Sequence, residues 1–272
     1  MDGIQWLPAG LGLAVGFLLA LTGAGGAILS VPLLVFGVGL TLADAGPIAL
    51  LAVCMSAAVG SALGFRAGIL RYKAAMVMSV TGLVLSPVGI WLATQVPNRP
   101  LSALFAVVLF YVSITMFLKA RRELMGLPTD QSEGPPCLLD ESRGKLAWTL
   151  PCFRAMVVAG GLAGFLSGLL GVGGGFVIVP ALKQVTNLPA KAIVATSLGV
   201  IACVSMGGAL TAALVGRMQW EIALPFALGS LTGMMLGRQV THHLNGLRLQ
   251  QAFAIFAAAV AVLMMVKALF GF

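Results

Sequence analysis

Long runs of apolar residues, unbroken by charge, follow one another along most of this chain. Roughly 20 such residues are needed to cross the ~30 Å hydrocarbon core of a bilayer. Only 9% of the residues are charged and 60% are hydrophobic, whereas a soluble domain averages about 25% charged residues. Because lipid offers the backbone no hydrogen bonds, the spans must be helices or a closed barrel. The runs are rich in Ala, Leu and Gly and lack the alternation of barrel strands, so they predict an all-α integral membrane protein.

A polar stretch at about 120–154, with Pro135 and Pro136, divides the chain into two apolar halves. We predict a first transmembrane repeat at 1–119, a linker at 120–154 and a second repeat at 155–272. Each repeat is expected to hold a glycine-broken helical hairpin plus three transmembrane helices, which gives eight to ten hydrophobic segments in total. The segments are predicted at about 5–22, 26–40, 46–65, 74–95, 101–119, 155–170, 175–188, 192–214, 222–241 and 249–269.

The two halves align without a gap at an offset of 148 residues, the difference between positions 23 and 171. The match is densest between 23-GAGGAILSVPLL-34 and 171-GVGGGFVIVPAL-182. One fixed offset over roughly 110 residues indicates a duplicated membrane unit. The coinciding residues in the densest part are Gly23, Gly25, Gly26 and Pro32 with Gly171, Gly173, Gly174 and Pro180.

The distribution of Lys and Arg distinguishes two arrangements of the halves, because bases collect on the cytoplasmic side. If the first two segments of each half form a hairpin, the halves are inverted. Thirteen of the sixteen bases are then cytoplasmic, and only Arg99, Arg217 and Lys267 are outside. If those two segments form one broken pass, the halves are parallel and eleven bases are inside. The counts favour inverted repeats, with both termini outside and the linker in the cytoplasm.

The two glycine-rich stretches predict an anion site. Glycine permits tight turns, and irregular backbone at membrane depth survives only inside the protein or beside a cavity. A short helix that begins there points its N-terminus, with free N–H groups and partial positive charge, toward mid-membrane. Paired interruptions at matching positions of two repeats mark a transporter's binding site. The alternative is that the glycines serve only close helix packing.

The stretch 171-GVGGGFVIVPALKQVTNLPAKAIVATSL-198 resembles the signature of the TauE/SafE sulfite exporter family. The resemblance rests on the glycine cluster, Pro180, the Leu188–Pro189 pair before a helix and the run from Ala195 to Leu198. It implies membrane transport of a small sulfur-containing or organic anion, such as sulfite, thiosulfate, a sulfonate or sulfoacetate. The first half departs from this pattern, because Ile48 and Ala49 stand where the second half has Thr196 and Ser197.

Backbone amides and neutral hydroxyls are the expected substrate contacts, since a buried cation would hold an anion too tightly for turnover. A thiol is a further option for a sulfur substrate, although a buried cysteine is usually an apolar packer. The prolines of the two stretches, Pro32 and Pro180, are expected to shape the short helices. The predicted binding residues are Gly23, Gly25, Gly26, Gly171, Gly173, Gly174, Gly175, Thr196 and Ser197, with Thr22, Ser56, Cys54 and Cys203 as weaker candidates.

The function predicted from these features is anion transport by alternating access across the bacterial plasma (inner) membrane. No Asp, Glu or His lies clearly in mid-span, which favours passive or weakly coupled movement. A membrane scaffold without transport activity is the alternative. An enzyme is not expected, because His242 and His243 are adjacent, point about 100° apart on a helix and have no acidic neighbour.

The expected partners are the bilayer and a small anion. The net charge of +8 is attributed to bases that flank the spans, so nucleic acid is not expected. No cofactor or metal is expected, and the spacing of the four cysteines gives no disulfide framework. The oligomeric state stays open, a homodimer being one option.

Overall fold

The computed structural model describes residues 3–22, 25–125, 137, 139–140, 145–146, 148–216, 218–240 and 246–270. Ten α-helices in these ranges coincide with the ten predicted segments, and two short strands pair in the linker. The all-α prediction is therefore confirmed. The elements are α1 (Gly3–Thr22), α2 (Gly25–Gly37), α3 (Leu42–Arg66), α4 (Tyr72–Gln95), α5 (Asn98–Leu124), β1 (Leu139–Asp140), β2 (Lys145–Leu146), α6 (Leu150–Leu170), α7 (Gly175–Val185), α8 (Ala190–Leu214), α9 (Trp220–Val240) and α10 (Gly246–Phe270).

The helices differ in length in the way the apolar segments predict. Among the described residues, α3, α4, α5, α6 and α8 are long and apolar enough to cross a membrane. The α2 helix has 13 residues and α7 has 11, so at 1.5 Å per residue they rise only ~20 and ~16 Å. Each is too short to span the core, and each follows a glycine-rich stretch.

Both short helices return along the helix that precedes them. Gly26 packs against Leu19, whereas Gly37, at the other end of α2, packs against Leu11. The order is reversed along the two helices, so α1 and α2 form a hairpin. In the second half, Gly174 at the start of α7 lies against Ala163 in the middle of α6. The start of α7 therefore lies beside the middle of α6.

The long helices pack in pairs, each of which joins a helix of the first half to a helix of the second half. Exchanging every helix with its counterpart in the other half converts the first two pairs below into each other and leaves the last two unchanged. The α1 helix packs on α9 and α6 on α4, while α3 packs on α8 and α5 on α10. Glycines let the backbones approach closely, as where Gly164 meets Gly82. In the α3–α8 pair, Leu50 meets Gly208 and Leu198 meets Gly60. Those two helices are therefore antiparallel.

These directions define two faces of the bundle. On one, which we call the termini face, α1 begins and α10 ends, and a cavity brings together Gly39, Arg99 and Lys267 from the ends of three helices. On the other, which we call the linker face, α5 ends and α6 begins. There Glu123 at the end of α5 lies 3.8 Å from Lys183 at the end of α7.

A disulfide joins Cys137 of the linker to Cys152 in the first turn of α6. The amide of Cys137 also donates to the Val185 carbonyl at the end of α7. The sequence analysis expected no disulfide framework, and this expectation was wrong. Spacing alone carries no sign that the linker returns to the base of the α6–α7 hairpin, where both thiols become fully buried.

Candidate substrate site

A cavity of about 410 Å³ opens between α3, α4, α6 and α8 on the termini face. Its lining is mainly apolar and includes Leu50, Ile90 and Trp91. Thr94 and Thr211 also line it, and each of their hydroxyls donates to a carbonyl of its own helix. No charged side chain of the described residues belongs to the lining. The cavity reaches Gly171, the first residue of the second glycine-rich turn.

The second turn, residues 171–174, adopts a backbone that only glycine accepts readily. Gly171, Gly173 and Gly174 have φ angles of 71°, 74° and 66°, in the left-handed region that costs other residues free energy. Gly174 is the N-cap of α7, and no side chain caps that helix. Among the hydrogen bonds of residues 148–216, none uses the amide of Gly173 or Gly174 as donor. Gly175 then begins α7.

The first turn is built differently. The Thr22 hydroxyl donates to the Leu18 carbonyl at 2.8 Å and accepts from the Gly26 amide at 3.2 Å. Gly26 has no left-handed φ and packs directly on α1. Gly25 is the first residue of α2, and Gly23 lies outside the described residues. The one amide donor described here is thus satisfied by a side chain.

The two predicted hydroxyl donors of α8 have other partners. The Thr196 Oγ1 accepts a hydrogen bond from the Arg71 amide at 3.1 Å, in the loop before α4. The Ser197 hydroxyl donates to the Val194 carbonyl at 2.9 Å. Both residues lie near the start of α8, toward the linker face. The turn instead meets α8 further along, at Ile201 and Ser205.

Sequence analysis missed three buried serines that lie beside the second turn or next in sequence to residues of the cavity lining. Ser205 lies beside Gly173, while Ser86 and Ser167 directly precede Pro87 and Gly168 of the lining. All three are buried, and their hydroxyls have no hydrogen-bond partner among the residues that the structure describes. Comparison of the two halves could have singled these serines out, because each has an apolar counterpart at the offset of 148. The counterpart of Ser205 is Ala57, that of Ser86 is Met234 and that of Ser167 is Leu19.

The weaker candidates lie elsewhere in the bundle. The Ser56 hydroxyl is buried and donates to the Ser230 hydroxyl of α9 at 2.9 Å. Cys54 and Cys203 are free, half-buried thiols that are close enough to interact electrostatically across α3 and α8. Their neighbours along α8, such as Met206, are exposed on the outside of the bundle. Neither cysteine is among the three nearest neighbours of a Cβ placed on Gly171, Gly173 or Gly174.

The two predicted helix-shaping prolines lie inside the short helices. Pro32 is in α2 and Pro180 is in α7. Pro180 also lines a groove of about 580 Å³ between α5 and α7. Neither proline belongs to the lining of the cavity on the termini face.

The positions on the linker face that correspond to the cavity are packed. A Cβ placed on Gly60 would lie 2.8 Å from Leu198 and 2.5 Å from Met234. The Arg238 guanidinium donates to the Gly60 carbonyl at 3.4 Å. Arg238 is the counterpart of Ile90, which lines the cavity on the opposite face. A Cβ on Gly208, the counterpart of Gly60, would lie equally close to Leu50, at 2.8 Å, so the two sides differ here in the Arg238 bond, in place of which Ile90 lines the cavity.

Ionisable residues lie at the ends of the spans. Asp44 is in the first turn of α3, where its carboxylate accepts a hydrogen bond from Thr41 at 2.6 Å, and Glu221 is in the first turn of α9. Arg99 and Lys267 line a second cavity of about 270 Å³ on the termini face. His242 and His243 lie outside the described residues, and no group of metal-ligating side chains occurs in the part searched.

These features define a class of protein: a multi-pass helical membrane protein. Its cavity is large enough for a small solute and reaches the glycine turn between α6 and α7. The family model for the sulfite exporter TauE/SafE matches residues 8–264, and the chain belongs to this family of membrane transporters. The identity of the family confirms the resemblance seen in 171–198.

Relatives are similar over nearly their whole length. A "Probable membrane transporter protein" of Xylella fastidiosa (strain 9a5c) is 29% identical over 93% of this chain and 92% of its own. "Probable membrane transporter protein YunE" of Bacillus subtilis (strain 168) is 26% identical over 86% of this chain and 88% of its own. No solved structure matches the chain significantly.

Proposed function

We propose that the protein moves a small sulfur-containing or organic anion across the bacterial plasma membrane by alternating access. The observation that carries the proposal is the cavity on the termini face, which ends at the second glycine turn. There the uncapped start of α7 offers amide donors and partial positive charge inside the bundle. The substrate class itself comes from the family's name and from the chemistry of these donors.

Alternating access requires two pathways of which one is closed at a time. Inverted repeats supply them, because the same helices in exchanged roles line both. The antiparallel α3–α8 pair and the two hairpins support inversion of the halves. The open cavity on one face and the packed Gly60–Arg238 contact on the other support a conformation that is open to one side.

The distribution of Lys and Arg residues predicts which side of the membrane each face lies on. Of the sixteen Lys and Arg residues, thirteen belong to segments on the linker side in the inverted arrangement. By the positive-inside rule we place the linker face in the cytoplasm, so the conformation described is open to the outside. The Cys137–Cys152 pair is then expected to be reduced in the cell and to form its disulfide under oxidising conditions. A reporter fused to Phe272 should then read as external, whereas a cytoplasmic reading would contradict the orientation.

Coupling to protons has little support from the residues that surround the cavity. A proton relay normally uses ionisable residues within the membrane, and Asp44 and Glu221 lie in first turns at the termini face. We propose passive or weakly coupled transport, in which protons can travel on the substrate. Strict dependence of transport on an imposed pH gradient would contradict this.

Uptake by proteoliposomes tests the proposed function. Wild-type protein should transport at least one of sulfite, thiosulfate, sulfoacetate or a simple sulfonate, and chloride should not compete. Ala93→Trp places a bulky ring in the cavity lining and should strongly reduce uptake. Val88→Trp, on the same helix but exposed outside the bundle, is the matched control and should transport normally. Absence of uptake and of anion-dependent stabilisation in wild type would favour the scaffold alternative.

A further inference from the structure

We propose that the hydroxyls of Ser205, Ser167 and Ser86 bind the transported oxyanion at the second glycine turn, with Ser205 the principal donor. The proposal rests on the proposed function and assigns the hydroxyl set of that same site. It replaces Thr196 and Ser197, whose hydroxyls have partners away from the turn.

Ser205 is directed at the turn. Its side chain is 0% exposed, and its Oγ lies 2.6 Å from the position that a Cβ on Gly173 would occupy. Gly173 therefore leaves room for the hydroxyl, and its own amide makes no hydrogen bond within residues 148–216. An anion held by the amides of this turn would also lie beside the Ser205 hydroxyl.

Ser205 differs from the buried helical serines of this bundle whose hydroxyls are satisfied within their own helix. Ser113, Ser197 and Ser230 each donate to a carbonyl of their own helix at 2.8 to 2.9 Å. This bond satisfies a helical hydroxyl locally. Ser205 makes no such bond, and a buried hydroxyl without a partner is costly. A substrate oxygen would provide the missing acceptor.

The other two serines come from different helices and lie close to the same end of the cavity. Ser86 of α4 and Ser167 of α6 are 2% and 1% exposed, and neither hydroxyl has a partner. The Ser86 backbone packs on Gly168, the residue that follows Ser167. Pro87 and Gly168 both line the cavity. Three helices thus each carry one buried hydroxyl without a partner among the described residues, either beside the turn or next in sequence to a residue of the cavity lining.

This donor set suits an oxyanion with several acceptor atoms, such as sulfite or a sulfonate group. Hydroxyls and backbone amides donate to separate oxygens, which a monatomic anion such as chloride lacks. The set contains no cation, so the anion is stabilised by hydrogen bonds and the helix dipole alone. Binding of this kind is weaker than burial against an arginine and allows release on the other side of the membrane.

Transport kinetics of Ser205→Ala in proteoliposomes test the assignment. Loss of one hydrogen bond to a charged ligand corresponds to roughly ten-fold or more in affinity. We expect KM to rise by about that factor for the transported oxyanion, with little loss of folded protein. Ser205→Thr keeps the hydroxyl and should recover most of the affinity. Ser79→Ala is the matched control, because Ser79 is also buried without a partner but is not next to the cavity lining.

The outcomes separate this assignment from the proposed function. If wild type transports an oxyanion and Ser205→Ala has the same KM as Ser79→Ala, the hydroxyl assignment is wrong and the transport function stands. If KM rises in Ser205→Ala and in Ser205→Thr alike, the effect is packing and the assignment is again wrong. If wild type neither binds nor transports any oxyanion of the panel, the proposed function fails and the assignment fails with it. Ser86→Ala and Ser167→Ala should each raise KM by a smaller factor.

Discussion

The two glycine turns occupy equivalent positions in the repeat and have different local chemistry. At the first turn, Thr22 binds the Gly26 amide, and the positions that surround the turn carry Leu19, Ala57 and Met234. At the second turn, the amides of Gly173 and Gly174 have no partner in residues 148–216. Ser205, whose hydroxyl has no partner among the described residues, lies beside that turn, and Ser86 and Ser167 directly precede Pro87 and Gly168 of the cavity lining.

This difference indicates that duplication preserved the hairpin and that the polar groups diverged. At the first turn, the Gly26 amide is satisfied by the Thr22 hydroxyl, as in a purely structural helix cap. At the second turn, the amides of Gly173 and Gly174 have no acceptor within residues 148–216, and Gly171 lines a cavity; buried donors of this kind are costly unless a ligand supplies acceptors. In the mechanism that we propose, one substrate site served by two inverted pathways needs only one polar turn.

The largest expected effect comes from Gly174→Ala. The left-handed backbone costs about 1–2 kcal/mol for a residue with a Cβ, and the Cβ would lie 2.5 Å from the Ala163 carbonyl. Such overpacking adds about 1–3 kcal/mol. We expect a clear fall in melting temperature and loss of transport.

Gly10→Ala is the control for this substitution, because a Cβ at Gly10 meets nothing within 4 Å. It should leave melting and uptake unchanged or slightly improved. Normal uptake by Gly174→Ala would show that the geometry of the second turn is not needed.

A second difference between the hairpins is the disulfide, which ties only the α6–α7 hairpin to the linker. Cys152→Ser opens a loop of 15 residues, for which chain entropy predicts a loss of about 3 kcal/mol. We expect a lower melting temperature in non-reducing detergent solution. Wild type treated with reductant should melt like the variant, and an unchanged melt after verified reduction would contradict the prediction.

Thr22→Val tests whether the first turn is only structural. Loss of the hydroxyl leaves the Gly26 amide without its acceptor, which typically costs about 1 kcal/mol for a helix cap. Melting should fall modestly, and KM should change less than in Ser205→Ala. Thr22→Ser retains the cap and serves as control. A rise in KM as large as that of Ser205→Ala would place the first turn in the substrate site.

The smallest expected effect concerns the closed pathway. Arg238→Ile introduces the residue that its counterpart Ile90 provides on the open face. Loss of the bond to the Gly60 carbonyl should speed amide hydrogen exchange in 60–67. Arg99→Ile, on the termini face, should leave that exchange unchanged. Equal exchange in both variants would mean that Arg238 does not contribute to closure.

The helices were predictable because each depends on local pattern. Apolar runs gave all ten, and the glycine clusters located both short helices to within a few residues. The repeat offset also predicted that the halves would be unequal at 196 and 197. These features need no knowledge of which helices touch.

The hydrogen-bond partners were not predictable in the same way. Thr196 and Ser197 belong to the family signature, yet their hydroxyls bond to Arg71 and Val194. Whether a hydroxyl is free depends on the helix packed against it, and Ser205 is defined only by its contact with Gly173. The disulfide was missed for the same reason, since the return of the linker to α6 and α7 is a tertiary contact.

The most direct test is a crystal structure with a heavy-atom oxyanion that competes with the transported substrate, such as selenate. Donor–acceptor distances of about 3 Å place the selenium roughly 4 Å from the donor atoms. The anomalous peak is predicted beside the amides of Gly173 and Gly174 and the Ser205 hydroxyl. A peak only at the first turn, or only between Arg99 and Lys267, would contradict the claim that the second glycine turn holds the anion.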